Sequence, residues 1–272
     1  MAPTAFFSLF LSLATVSAEL SSAPRGSARV WPASAYASAR ALLAQLTTAE
    51  KVQLASGNNS QYQKCPDASC TYVGWIAGLP AHSFTEIRLE DGPQGVADGM
   101  HNVTAWPSAM TVSQAWSPAL TQAWGAAMGA EQVLKGSNVM LGPAVALVRV
   151  PLSGRNFEYL SEDPYLNAQL AGPLVTGIQS NNISACVKHW IFNSQETNRS
   201  SMSANVAERV GRELYGPPYA AAVDAGVGSV MCSFNRINQT YACANGGGWL
   251  NDVLKGDLGF DGTAVSDWGA TQ

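Results

Sequence analysis

The stretch Gly262-Thr-Ala-Val-Ser-Asp-Trp268 sets the reading of the whole chain. Small and apolar residues at 263–265 predict a short buried strand, and a carboxylate and an indole follow at its end. An aspartate in that position is costly unless it is paired, hydrogen-bonded or used chemically. The same Asp267 would also serve as the cap of a following helix, and the stretch alone leaves both readings open. Working back through the chain, short apolar runs predict strands at 84–89, 138–141, 183–187 and 229–232. Helical patterns lie between and after them at 117–135, 165–179, 206–214, 219–225 and 249–254, with Pro217-Pro218 breaking or bending the third. Strand–loop–helix repetition argues for an α/β chain with parallel strands and crossover helices. A doubly wound sheet and a barrel both satisfy it. Polar residues recur at the strand ends: Asp91, Lys188 with His189, Asn235 and Asp267. In a barrel such ends converge on one face.

The 272 residues suit one large domain and are enough for a complete barrel. A net charge of −4 with scattered basic residues gives no surface for nucleic acid. Residues 1–18 read as a secretory signal, an apolar run from Ala5 to Val16 ending in the small-residue site Val16-Ser17-Ala18. The run is too short to span a bilayer comfortably, and no later segment is a convincing membrane span. Residues 19–46 form an N-terminal arm and a first helix (35–46); the main domain covers 47–272, with Thr47 or Thr48 capping a second helix and a loop-rich insertion at 56–83. Of the five cysteines, Cys65 with Cys70 and Cys232 with Cys243 bracket short polar loops and are expected to pair, which leaves Cys186 as a buried free thiol. Glycosylation sequons begin at Asn58, Asn102, Asn182, Asn198 and Asn238. Paired cysteines and sequons agree with an extracellular setting. The cysteine and histidine spacings match no zinc pattern, and Gly246-Gly247-Gly248 lacks the lysine of a phosphate loop, so no cofactor is expected.

Five motifs, taken in order, carry a resemblance. They are Asp91-Gly-Pro; Gly154-Arg-Asn-Phe-Glu158 with Ser161-Glu-Asp-Pro-Tyr-Leu166; Lys188-His189 with Gln195-Glu196 and Arg199; Met231-Cys-Ser-Phe-Asn235; and Ser266-Asp-Trp268. From about Leu46 onward the chain resembles glycoside hydrolase family 3, the secreted β-glucosidases in particular. The resemblance implies a (β/α)8 TIM-barrel-like domain, here incomplete at its C-terminal end, followed in the family by an α/β sandwich domain. It implies retaining, exo-acting hydrolysis of terminal β-D-glucosyl residues from cello-oligosaccharides or β-glucosides, with β-xylosidase as the alternative within the class. Asp267 matches the family's nucleophile; Asp91, Arg155, Lys188 and His189 match residues that grip sugar hydroxyls; Arg199 and Met231 match further pocket positions.

The residue types suit that chemistry. A retaining glycosidase uses one carboxylate to attack the anomeric carbon and a second group to protonate the leaving oxygen. Neighbouring cations favour the ionised nucleophile. Trp268 offers an apolar floor for the sugar ring. Three departures stand out. Ala97 replaces the usual arginine and Phe234 the usual tyrosine near the nucleophile. The family's acid/base glutamate belongs to the following domain, so the 272 residues alone are expected to be poorly folded and inactive. Glu90, Glu158 and Glu196 are acid/base candidates by residue type only. These departures keep a second class in view, a secreted glucan-binding protein without turnover.

Overall fold

The computed structural model describes residues 31–56, 63–64 and 71–271. Its strands are β1 (Gln63–Lys64), β2 (Thr71–Tyr72), β3 (Gly74–Ile76), β4 (Ile87–Asp91), β5 (Val139–Leu141), β6 (Ser184–Trp190), β7 (Ser203–Ala204), β8 (Ser229–Cys232), β9 (Arg236–Ile237), β10 (Thr240–Tyr241) and β11 (Thr263–Ser266). Its α-helices are α1 (Ala33–Gln45), α2 (Thr48–Ser56), α3 (Ala109–Ser113), α4 (Pro118–Leu134), α5 (Pro164–Gln179), α6 (Glu208–Val210) and α7 (Pro217–Asp224). The main sheet runs β3-β4-β5-β6-β8-β11, parallel throughout except for β3. Each parallel strand is laid beside the one before it, and the order never reverses. A doubly wound sheet reverses at its switch point, whereas a barrel wall does not. The sheet curls far enough that Trp268, just past β11, donates its indole N–H to the carbonyl of Val73, just before β3, at 2.9 Å.

The pleat sorts the side chains into two layers. Ile87, Leu89, Val139, Leu141, Cys186, Met231 and Val265 turn inward and pack with Trp268. Met140, Ala185, Val187 and Val230 turn outward against the helices, meeting Trp124, Met128, Leu174 and Ile178. The helices start where their caps dictate. The Ser117 hydroxyl accepts the Leu120 N–H at 3.2 Å ahead of Pro118, and the Asp163 carboxylate accepts the Tyr165 N–H at 2.9 Å ahead of Pro164. The two helices cross closely at Gly177, where an added Cβ would lie 2.1 Å from the Gln122 carbonyl oxygen.

Several expectations need correction. The 56–83 segment, read as loop, supplies β3 and with it one edge of the main sheet. Three residues beginning with glycine carry no period, and the pairing with β4 is what makes them a strand. Helix α3, capped by Ser108, and the small sheet β10-β9-β7 were also not legible. Strand β4 extends through Asp91, and β6 extends through Trp190, so that Lys188 and His189 lie within the ladder. The break expected at Pro217-Pro218 is present, at Gly216 just ahead of the prolines. They begin α7, following a π-helical turn at Gly211–Tyr215.

Cys232 and Cys243 are bonded, with a Cα–Cα distance of 5.3 Å. Cys186 is free and buried, and burial pushes its thiol up to about 12, which leaves it inert. The predicted signal at 1–18, the Cys65–Cys70 pair and Asn58 lie outside the described residues. Asn102, Asn182, Asn198 and Asn238 are all exposed and all left-handed, a backbone state that itself favours asparagine. No helix among the described residues is long and apolar enough to cross a membrane.

Glu90 is the exception in the apolar layers. It falls between inward-facing Leu89 and Asp91, and it is fully buried. One carboxyl oxygen accepts the Asp91 N–H at 3.0 Å; the other has no hydrogen-bond partner among the described residues. Burial pushes its pKa to about 8, with Asp91 and Asp98 adding to the rise and the Asp91 N–H opposing it. The folded chain therefore keeps this proton up to about pH 8, whereas the unfolded chain loses it near the ordinary value of 4.5. More protons are bound in the folded state across that window, so the contribution of Glu90 to stability falls as pH rises through it.

Two substitutions test this packing. Glu90→Gln keeps the acceptor without the titration. Its stability relative to the parent, read from urea midpoints, is expected to rise steadily between pH 4.5 and about 8, by a few kcal/mol in all; a pH-independent difference would contradict the assignment. Gly177→Ala gains about 1 kcal/mol of helix propensity but loses about 3 kcal/mol to the clash with backbone. A net loss near 2 kcal/mol is expected, and a variant as stable as the parent would show that α4 and α5 do not cross there.

Candidate active site

Three charged residues stand one pleat above the inner apolar layer: Asp91 above Leu89 on β4, Lys188 above Cys186 on β6, and Asp267 above Val265 after β11. All lie toward the carboxyl ends of their strands. Lys188 Nζ donates to Asp91 Oδ1 at 2.6 Å, and its side chain is only 4% exposed. A register shift between Val187 and Trp190 breaks the alternation of β6, so His189 joins Lys188 in facing the same space. The Lys188–His189 and Trp190–Ile191 peptides in this stretch are cis.

His189 is buried and held at three points. Its Nε2 lies 3.6 Å from Asp267 Oδ2, its Nδ1 lies 3.3 Å from the Tyr159 hydroxyl, and its carbonyl accepts the Tyr219 O–H at 2.6 Å. Burial, followed by the charges of Arg155, Lys188 and Arg199, holds its pKa well below the ordinary histidine value, so the ring is neutral.

Asp267 caps no helix among the described residues. Its Oδ1 accepts only the N–H of the adjacent Trp268, at 2.9 Å, and its own N–H donates to the Cys232 carbonyl, continuing the ladder. Its Oδ2 is buried and has no hydrogen-bond partner among the described residues. Burial raises its pKa above the ordinary aspartate value; the Trp268 N–H, Lys188, Arg155 and Arg199 act in the opposite direction.

Glu196 organises the arginines. Gly154, at φ +96°, turns the chain so that Arg155 enters a half-buried position. Arg155 donates through Nε and Nη2 to the two oxygens of Glu158, both at 2.8 Å, with Nη1 4.0 Å from Glu196. Glu196 also accepts from Arg199 at 2.7 Å and from Asn193 at 3.0 Å. The Arg199 guanidinium lies 4.4 Å from the centre of the Phe234 ring, so the phenylalanine supports a cation rather than offering a hydroxyl.

The predicted site residues are thus brought together with two qualifications. Met231 is buried in the inner core with Val265 and Trp268, beneath the charged layer. Asn235, expected with the polar strand ends, is spent as a brace, donating to the carbonyls of Ile191 and Arg236. Of the glutamates considered by type for acid/base work, Glu90 lies beyond the strand wall, and Glu158 and Glu196 are engaged by arginines. The residues missed from sequence are Tyr159, Tyr219 and Asn193. Tyr159 directly follows a motif residue, but only tertiary contact shows that it reaches His189.

The comparisons with known proteins agree with this geometry. The model of the glycosyl hydrolase family 3 N-terminal domain matches residues 85–272. β-Glucosidase 1 of Saccharomycopsis fibuligera is 41% identical over 256 residues, covering 89% of this chain and 28% of that protein. A β-glucosidase structure from Chaetomella raphigera superposes with a TM-score of 0.80 at 39% identity, over 88% of this chain and 32% of the other. The β-glucosidase DesR of Streptomyces venezuelae, solved with D-glucose, does so at 0.79 and 34%, over 85% and 29%. The chain therefore spans less than a third of the length of these relatives. With the order of its strands and the charged layer at their carboxyl ends, this chain belongs to glycosyl hydrolase family 3, whose N-terminal domain it carries.

Proposed function

We propose that this chain supplies the sugar-binding face and the nucleophile of a retaining β-glucosidase. The observation that carries the reading is the Oδ2 of Asp267: a buried carboxylate oxygen without a hydrogen-bond partner among the described residues, at the mouth of the barrel and among three cationic side chains. In the proposed reaction Oδ2 attacks the anomeric carbon as the bond to the aglycone oxygen breaks; that oxygen leaves with the bonding pair and a proton from the acid/base group of the following domain, and water, giving its proton to the same group, then cleaves the ester and releases the sugar. The paired Asp91 and Lys188, with Arg155 and Arg199, present acceptors and donors to the ring hydroxyls. A sugar lacking one of those hydroxyls leaves a poorly solvated charge unmatched, which is the physical basis of strict selection. Trp268 lies beside the carboxylate as an apolar surface. The substrate class rests on the β-glucosidase relatives, one of them solved with D-glucose. An extracellular setting is supported by the leader-like residues 1–18, the exposed sequons and the Cys232–Cys243 bond.

Hydrolysis of an aryl β-glucoside by the native protein tests the reading. Asp267→Ala is expected to lower kcat/KM by at least ~10³-fold, and Lys188→Ala by about 10- to 100-fold, the scale of one charged hydrogen bond. Asp267 works ionised, so activity rises with pH through its raised pKa, and Lys188→Ala, by removing an opposing cation, is expected to move that acid limb upward. Full activity in Asp267→Ala, or faster turnover of an aryl β-xyloside, would overturn the assignment. Glucose binding with no turnover would favour the binding-protein reading, for which the replacement of the usual tyrosine by Phe234 is the supporting observation.

A further inference from the structure

The neutral His189 ring carries one proton, and the surroundings decide where it sits. Two arrangements are possible. If Nδ1 holds the proton it donates to the Tyr159 oxygen, and the Tyr159 O–H, buried at 1% exposure, loses its acceptor. The bare lone pair of Nε2 would then face Asp267 Oδ2 at 3.6 Å, setting two electron-rich atoms against each other. If Tyr159 donates instead, the Tyr159–His189 contact is matched and no two lone pairs face each other. The Tyr159 proton enters the Nδ1 lone pair, and Nε2–H points at Asp267 Oδ2, which has no hydrogen-bond partner among the described residues. At 3.6 Å that approach is too long for a hydrogen bond, but the N–H dipole still favours the anion. Burial of both partners magnifies the difference, because unsatisfied polar groups are most costly where water cannot reach them.

We infer that Tyr159 is a positioning residue that donates its hydroxyl proton to Nδ1 of His189 and thereby holds His189 as the Nε2–H tautomer facing Asp267. The Tyr219 hydroxyl fixes the His189 carbonyl, and the edge-to-face contact of the Tyr159 and His189 rings, with centroids 6.4 Å apart, fixes the plane. Under the function proposed above, on which this consequence rests, His189 offers a sugar hydroxyl a donor and not an acceptor.

Nitrogen-15 labelling of histidine makes the tautomer of His189 readable once its signals are assigned. Long-range proton–nitrogen correlations on the native protein at neutral pH, with His189→Gln to assign the signals, are expected to show a protonated Nε2 and a bare Nδ1. Tyr159→Phe is expected to move His189 toward the Nδ1–H tautomer while the His82 and His101 signals stay in place, and to lower kcat/KM several-fold. A protonated Nδ1 in the parent overturns the inference, and so does an unchanged tautomer in a folded Tyr159→Phe. Should that variant fail to fold, the parent spectrum alone decides. The tautomer is read without any turnover, so its failure is distinct from failure of the proposed activity.

Discussion

The two-residue pleat of the barrel wall is the constraint on which the site depends. Strands β4, β6 and β11 each carry an inward apolar residue, Leu89, Cys186 and Val265, and each places a charged residue two positions later. The strands are parallel, so these three charges come to the same end of the sheet. A shift of one residue in any strand would send its charge into the helix-facing layer, where Glu90 shows the cost of such a position: a carboxyl that stays protonated to about pH 8. The apolar layer below therefore does more than hold the sheet together. It fixes the height and direction of Asp91, Lys188 and Asp267.

The charged layer is arranged so that few groups are fully matched within the chain. Lys188 is almost completely buried and has Asp91 as its partner, while Asp91 remains about one-third exposed. Arg155 and Arg199 are tied together through Glu158, Glu196 and Asn193, a network that sets their positions before any ligand arrives. Asp267 is opposed in two ways: burial works against its charge, and three cations and a backbone N–H work for it. Its Oδ2 is left without a donor among the described residues. Such an oxygen has little to give up on forming a bond, which suits a nucleophile and would be a pure cost in a structural residue.

Most of the fold was legible because strand and helix patterns repeat, and the resemblance of five motifs turned a choice between sheet and barrel into a barrel. What stayed hidden depends on contacts distant in sequence. Strand β3 has three residues and no period, and only β4 makes it a strand. The extension of β6 through His189 follows from a register shift that no local pattern announces. Asn235 was expected among the polar strand ends and Met231 at the pocket; in the structure Asn235 donates to backbone carbonyls and Met231 packs with Val265 and Trp268. Tyr159 went unread for the opposite reason, since a tyrosine in a loop becomes informative only when its hydroxyl is seen beside a histidine thirty positions away.

The central claim is that Asp267 forms the bond to the sugar. The most direct measurement is to incubate the native protein with a 2-deoxy-2-fluoro-β-glucoside bearing a good leaving group, which slows release of the covalent intermediate, and to map the added mass by peptide fragmentation. The account predicts one sugar per chain, on Asp267. A label on Glu158, Glu196 or any other carboxylate would contradict it, as would turnover of ordinary β-glucosides by a protein that this reagent never modifies.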